Sequence, residues 1–141
     1  MKISTPVQIR FSDVDLGQHV HNAAYLHYFE LGRMEFLRSL VEKDHDWRKL
    51  GLILARNEVD YRLPIHLADR ISVETRCTKL GTKSFDLGYA VVSAGLDGSR
   101  RLHAEGHSVM VCFDYTSQRS IPVPEAWRTA LARYLENDGT R

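Results

Sequence analysis

A hydrophobic period of two dominates this chain and is interrupted once, near the start, by a period of about 3.6. Val7, Ile9 and Phe11 alternate with Gln8 and Arg10, which predicts a first strand. From about Asn22 to Val41 the rhythm changes. Tyr25, Leu26, Phe29, Phe36, Leu37 and Leu40 recur there at helical spacing. Asn22 is the expected N-cap, and Gly32 offers a point of close packing. Arg33 falls near the middle of the apolar face. It either pairs with Glu30 or snorkels to the edge of the core.

Asp46 to Gly51 reads as a short helical turn closed by glycine. The period of two then returns. Ile53, Ala55, Val59 and Tyr61 form one run; Ile71, Val73, Thr75 and Cys77 form the next; Phe85, Leu87, Tyr89 and Val91 form a third. Leu96-Asp97-Gly98-Ser99 predicts a hairpin turn into a last strand, roughly Arg101 to Phe113. His103, Glu105 and His107 alternate along it and predict one solvated polar face. Pro122-Val123-Pro124 stops the sheet, and Glu125 to Leu135 reads as a terminal helix. Trp47 and Trp127 are expected to anchor the helical turns.

The order is strand, long helix, then four successive strands. Short connections favour an α+β layer, an antiparallel sheet wrapped around one long helix. The chain has 141 residues and no linker or repeat, so residues 1–141 are expected to form one domain. One helix covers only part of such a sheet, and self-association is a natural way to bury the rest.

Composition narrows the function classes. With 19 Lys+Arg against 18 Asp+Glu, no global field points to nucleic acid or an anionic membrane. No apolar run follows the N-terminus, and none is long enough to span a bilayer, so a cytoplasmic location is expected. Cys77 and Cys112 lie in predicted strands without metal-ligand spacing and read as buried thiols in a reducing compartment.

The chemistry concentrates in Arg10-Phe11-Ser12-Asp13-Val14-Asp15 and Gly17-Gln18-His19-Val20-His21-Asn22-Ala23-Ala24-Tyr25. Two acidic residues follow a strand, and a short loop then enters the helix. A carboxylate is thereby set beside oriented N–H donors and the positive end of a helix dipole. That pairing suits attack on a carbonyl compound. The alternative is a β-to-α turn in which Asp15 or Asn22 only caps the helix. Asp15, His19 and His21 could be imagined as metal ligands, but their number and spacing are poor, so no metal is expected.

These residues carry a resemblance. With Tyr28-Phe29-Glu30-Leu31-Gly32-Arg33, Tyr61-Arg62-Leu63-Pro64, Ala68-Asp69, Gly81-Thr82-Lys83-Ser84-Phe85 and Val109-Met110-Val111-Cys112-Phe113-Asp114, followed by Arg119 and Pro122-Val123-Pro124, the chain resembles the hotdog-fold acyl-CoA thioesterases. The family is that of 4-hydroxybenzoyl-CoA thioesterase, with its long-chain acyl-CoA branch. The resemblance implies Asp15 as the catalytic carboxylate, nucleophile or general base. It implies the backbone N–H of Asn22 as oxyanion donor, and His19 as a catalytic-site residue shaping the loop. Tyr25, Lys83 and Ser84 would be substrate-binding, with Lys83 near phosphate. It further implies a site across a dimer interface, a homodimer or homotetramer, and no cofactor beyond the coenzyme A of the substrate. His21 departs from the asparagine of many long-chain relatives. A related subfamily uses a helix carboxylate, for which Glu30 is the nearest candidate. Other readings are a thioesterase for acyl carrier protein, supported by a basic patch of Lys79, Lys83, Arg100 and Arg101, and a non-catalytic acyl-CoA-binding module.

Overall fold

The computed structural model describes residues 1–135. The elements in chain order are β1 (Ile3–Val7), α1 (Ala24–Arg38), β2 (Leu50–Tyr61), β3 (Ile71–Leu80), β4 (Ser84–Ala94), β5 (Arg100–Asp114), β6 (Arg119–Ser120) and α2 (Glu125–Tyr134). A short 3-10 turn, Phe11–Asp13, lies between β1 and α1. All strand pairs are antiparallel, in the order β1-β3-β4-β5-β2, with β6 on β5. The α+β architecture, with one sheet curled around one long helix, is the one the periodicity predicts.

β3 keeps the expected rhythm, and β4 is buried on both faces from Leu87 to Ser93. Ile71, Val73, Thr75 and Cys77 are buried while the residues between them are partly exposed. Phe85, Leu87, Tyr89 and Val91 are buried on β4. Phe29 of α1 stacks on Tyr89, with ring centroids 4.7 Å apart. Removing such a buried ring costs about 3–5 kcal/mol. Position 32 needs glycine, because a Cβ there would lie 2.7 Å from Val73 Cγ1 and 2.8 Å from Thr75 Oγ1. Trp47 and Trp127 pack together at 5.5 Å. Cys77 and Cys112 are free and buried, and burial pushes the pKa of both thiols up to about 11.

Several boundaries differ from the pattern. The first strand ends at Val7, because its partner β3 begins at Ile71, opposite it. Phe11, expected in the strand, is 85% exposed. The helix starts at Ala24, not Asn22, and its N-cap is Ala23 with no side-chain cap. It ends at Arg38, where the Ser39 hydroxyl donates to the Phe36 carbonyl at 2.6 Å. Leu26 faces outward and Tyr28 inward. Arg33 neither pairs with Glu30 nor snorkels: it is buried and donates to the Tyr89 hydroxyl at 3.3 Å. Gly51 belongs to β2 rather than to a helical turn.

Two irregularities matter for the site. α1 packs over β1, β3 and β4 and leaves β2 at the sheet edge. From Ile53 to Arg56 β2 is exposed on both faces, around a register shift between Leu54 and Arg56. The second lies between β4 and β5. Val91 pairs with Ala104 but Val92 pairs with Leu102, so His103 is the extra residue of a bulge. The bulge reverses the local alternation. His103 points into the core, fully buried, and does not share the face of Glu105 and His107.

Candidate active site

Residues 13–21 form a miniature hairpin. His21 N–H donates to the Asp13 carbonyl at 2.9 Å, Val14 bridges Val20, and Asp15 N–H donates to the His19 carbonyl at 3.1 Å. Gln18 takes the left-handed conformation, with φ 65°, and closes the turn by donating its N–H to the Asp15 carbonyl.

The root of this hairpin is Asp13. Its buried carboxylate accepts the Arg10 backbone N–H at 2.9 Å, the Arg10 guanidinium at 2.9 and 3.2 Å, and the Tyr28 hydroxyl at 2.9 Å. Burial alone would raise its pKa. The hydrogen bonds and the charge of Arg10 prevail and hold it below the ordinary carboxylate range. The same burial, with Asp13 beside it, drives the Tyr28 phenol strongly upward. The tip of the hairpin is Asp15, exposed, with Oδ1 accepting the Gly17 N–H at 2.8 Å. A Cβ on Gly17 would sit 3.1 Å from Asp15 Oδ1 and 3.2 Å from His19 Cε1. Glycine there lets the carboxylate and imidazole flank the loop.

Asp15, His19, Asn22 and Tyr25 line one open groove with Val20, Tyr61, Arg62, Leu63 and Pro64, of about 420 Å³. Tyr61 connects the walls. Its hydroxyl donates to the Asn22 carbonyl at 3.0 Å, and its ring meets Tyr25 edge-on at 4.9 Å. Burial, and then the neighbouring Tyr61, raise the Tyr25 phenol pKa. Among the described residues the Asn22 and Ala23 N–H groups meet no protein acceptor. They are the free donors of a helix start, and Asn22 lines the same groove as the Asp15 carboxylate. A carbonyl substrate held there would find an oxygen acid–base or nucleophilic group and N–H donors for its developing charge.

The other expected residues lie elsewhere. Lys83 and Ser84 sit at the β3–β4 turn. Ser84 pairs with Val111, whereas Tyr61 pairs with Ala104, seven residues along β5 and on the order of 20 Å away. Lys83 is exposed, and its carbonyl accepts the Cys112 N–H at 2.9 Å. Glu30 is exposed and lines a different hollow, with Gln8, Arg10, His27 and Met34. The basic patch is not contiguous: Lys79 pairs with Asp86 and Arg101 with Ser93, near opposite ends of β4. Arg100 is moreover tied to Glu74 at 2.9 Å. Among the described residues, Asp15, His19 and His21 do not gather with any further His, Cys, Asp or Glu into a metal-binding cluster.

Sequence reasoning missed Tyr61, Arg62 and Pro64 as groove residues. They enter it only as part of the resemblance, because a strand end read as core alternation carries no sign of facing a cleft.

The comparisons with known proteins place the chain among thioesterases. Residues 9–131 match the thioesterase-like superfamily model. The long-chain acyl-CoA thioesterase FadM of Escherichia coli (strain K12) is 23% identical over 137 residues, covering 95% of this chain and all of FadM. A thioesterase from Thermus thermophilus, solved in complex with coenzyme A and Zn, is 31% identical with a TM-score of 0.79, over 93% of this chain and 92% of that one. A predicted thioesterase from Bacillus stearothermophilus reaches a TM-score of 0.85 at 25% identity, over 99% of this chain and 100% of its own.

Proposed function

The chain belongs to the thioesterase-like superfamily, and from that premise we propose that it hydrolyses acyl-CoA thioesters to a carboxylic acid and coenzyme A. The observation that carries the reading is the meeting of the exposed Asp15 carboxylate with the free N–H groups at the start of α1 in one groove. A thioester carbonyl is electrophilic and its thiolate leaves readily, so little more is needed. The Asn22 N–H and the helix dipole stabilise charge developing on the carbonyl oxygen. Asp15 delivers the attacking oxygen, its own or that of a water it deprotonates. The new C–O bond forms first, giving the oxyanion, whose collapse breaks the C–S bond. If water attacks, the acid is formed directly and the proton taken by Asp15 goes to the thiolate; if Asp15 itself attacks, water then hydrolyses the resulting mixed anhydride, freeing the acid and Asp15 and supplying the thiolate's proton. His19 shapes the loop, Tyr25 backs the acyl side, and no cofactor is required.

The site is completed by a second copy. Within one chain, Lys83 and Ser84 lie at the opposite end of β5 from the groove residue Tyr61, and a second copy is the reading that brings such a turn to the groove. The exposed β2 edge, with Ile53 and Leu54 39% and 41% exposed, supports pairing of two sheets there. The turn of one copy then supplies Lys83 to the coenzyme A phosphates at the other copy's groove. The assembly is a homodimer or a dimer of dimers, in the cytoplasm, with no nucleic acid or membrane partner.

The test is a hydrolysis panel of short, long and aromatic acyl-CoAs beside an acyl carrier protein thioester, with sedimentation equilibrium on the same sample. Turnover of at least one acyl-CoA by an assembly of two or more chains is expected. Turnover of the carrier-protein thioester alone, or a one-chain mass at micromolar concentration, would overturn the reading.

A further inference from the structure

Residues 61–65, the first four of them lining the groove, bridge the two halves of the site. At one end Tyr61 donates to the Asn22 carbonyl at the helix start; at the other the Ile65 carbonyl accepts the Val20 N–H at 2.8 Å, at the base of the Asp15 hairpin. This bridge is itself held from behind by one residue. The His103 carbonyl accepts the N–H groups of Arg62 at 2.8 Å and Leu63 at 3.0 Å, and its ring Nδ1 lies 3.1 Å from the Pro64 carbonyl oxygen. The other ring nitrogen, Nε2, lies 2.6 Å from the buried Ser93 hydroxyl.

The Pro64 carbonyl can only accept, so Nδ1 carries a proton. In the neutral ring Nε2 is then the acceptor, and Ser93 donates to it. The ring therefore spans two walls in one orientation, fixed at both ends. It reaches Pro64 only because the β-bulge turns His103 inward; bulges re-aim side chains in this way beside active sites.

We propose that His103 is a positioning residue for the hydrolytic site: by gripping residues 62–64 with its carbonyl and Nδ1–H, it fixes the bridge that sets the Asp15 hairpin against the N–H donors of α1. The proposal rests on the thioesterase reading of the groove, but it makes a claim about geometry that can be read without turnover. His103 does not itself line the groove, so its effect passes through the wall residues it holds and on to Tyr61 and Val20. Misplacing reacting groups by about 1 Å costs on the order of 10²-fold in rate.

The test exploits the shapes of two amides. The asparagine side-chain N–H stands where Nδ1 does, and the glutamine amide reaches where Nε2 does. His103→Asn keeps the grip on Pro64 and loses Ser93; His103→Gln does the reverse. Three measurements are made on each variant and on Ser93→Ala: kcat and KM on the best acyl-CoA, melting temperature, and hydrogen exchange of the Val20 amide by NMR. The expected result is a kcat at least about tenfold lower in His103→Gln with KM little changed, and rescue to within a few-fold in His103→Asn. Val20 should exchange faster in His103→Gln only. Ser93→Ala should lower the melting temperature while leaving kcat within a few-fold.

Equal kcat losses in the two amide variants, tracking their melting temperatures, would overturn the proposal and leave His103 a packing residue. If the wild-type protein hydrolyses no thioester, the functional reading fails, and Val20 exchange still decides the positioning claim. If either amide variant does not fold, Val20 exchange and kcat in Ser93→Ala decide. Loss of both there would show that the Ser93 side, not the Pro64 grip, sets the site.

Discussion

Asp13 and Asp15 stand two residues apart with the same side chain, and the fold gives them opposite surroundings. Asp13 at the hairpin root is buried and accepts hydrogen bonds from Arg10 and Tyr28. Asp15 at the tip is exposed and accepts only the Gly17 N–H among the described residues. Both oxygens of the first are committed to holding the loop. The second keeps lone pairs free in a groove that also contains unbonded N–H donors. A carboxylate with its bonding capacity filled holds the loop; one left short of partners is free for the role proposed for Asp15.

Neutralising the tip is the most direct challenge to this division. Asp15→Asn preserves size and the acceptor for Gly17 N–H, so the melting temperature should stay within a few degrees. Turnover should fall by at least about 10²-fold, the low end for removing a positioned base, and further for a nucleophile. Glu30→Gln, in the other hollow, is the control and should keep near-normal kcat. A folded Asp15→Asn enzyme with ordinary turnover would remove the distinction between tip and root. An inactive Glu30→Gln would transfer the chemistry to the helix.

The converse change is Asp13→Asn. An amide cannot accept from both Arg10 and Tyr28 without turning its own N–H₂ toward a donor. Stability should fall by about 1–3 kcal/mol, the cost of buried groups left poorly paired, with only a several-fold loss in kcat. Chemical denaturation beside steady-state kinetics separates the two. The pH dependence carries the same signature. The folded pKa of Asp13 lies below its ordinary value of 3.8, so its contribution is complete above that pH. It is lost as pH falls through the lower folded value, when the carboxyl protonates. In Asp13→Asn this acid-side decline in stability should shrink; an unchanged acid limb would mean that other carboxylates carry it.

Much of this is legible in the chain. β3 is readable because its buried face repeats every second residue from Ile71 to Cys77; on β4 the apolar residues Phe85, Leu87, Tyr89 and Val91 keep that period although the strand is buried on both faces from Leu87 to Ser93. The Asp15 loop is readable as a β-to-α turn that sets acids beside a helix start; spacing alone leaves a mere helix cap open, and the candidate role of Asp15 comes from the resemblance. What the sequence hides is whatever breaks local periodicity. The bulge at His103 adds one residue to β5 and turns a histidine from the solvated face into the core, and no composition signal marks such an insertion. For Arg33, helical spacing offers only Glu30, whereas its partner Tyr89 is 56 residues away. The division of labour between Asp13 and Asp15 is likewise invisible in spacing. It depends on Arg10 and Tyr28 closing on one carboxylate, which is a tertiary event.

Lys83 tests the contrast from another side, because it is exposed as Asp15 is, yet should not act on the rate. It lies at the far end of the sheet from its own chain's groove, so exposure alone cannot make a residue catalytic; proximity to the reacting carbon must be added. A cation that meets phosphate at a distance from the thioester stabilises ground and transition states alike. Lys83→Ala should therefore raise KM several-fold with kcat nearly unchanged. The increase should shrink as ionic strength rises, since exposed charges are screened within about 10 Å at 0.1 M salt. Steady-state kinetics at low and high salt check both statements. A drop in kcat at constant KM would place Lys83 with Asp15 rather than with the binding surface, and the contrast between an exposed reacting charge and an exposed binding charge would fail.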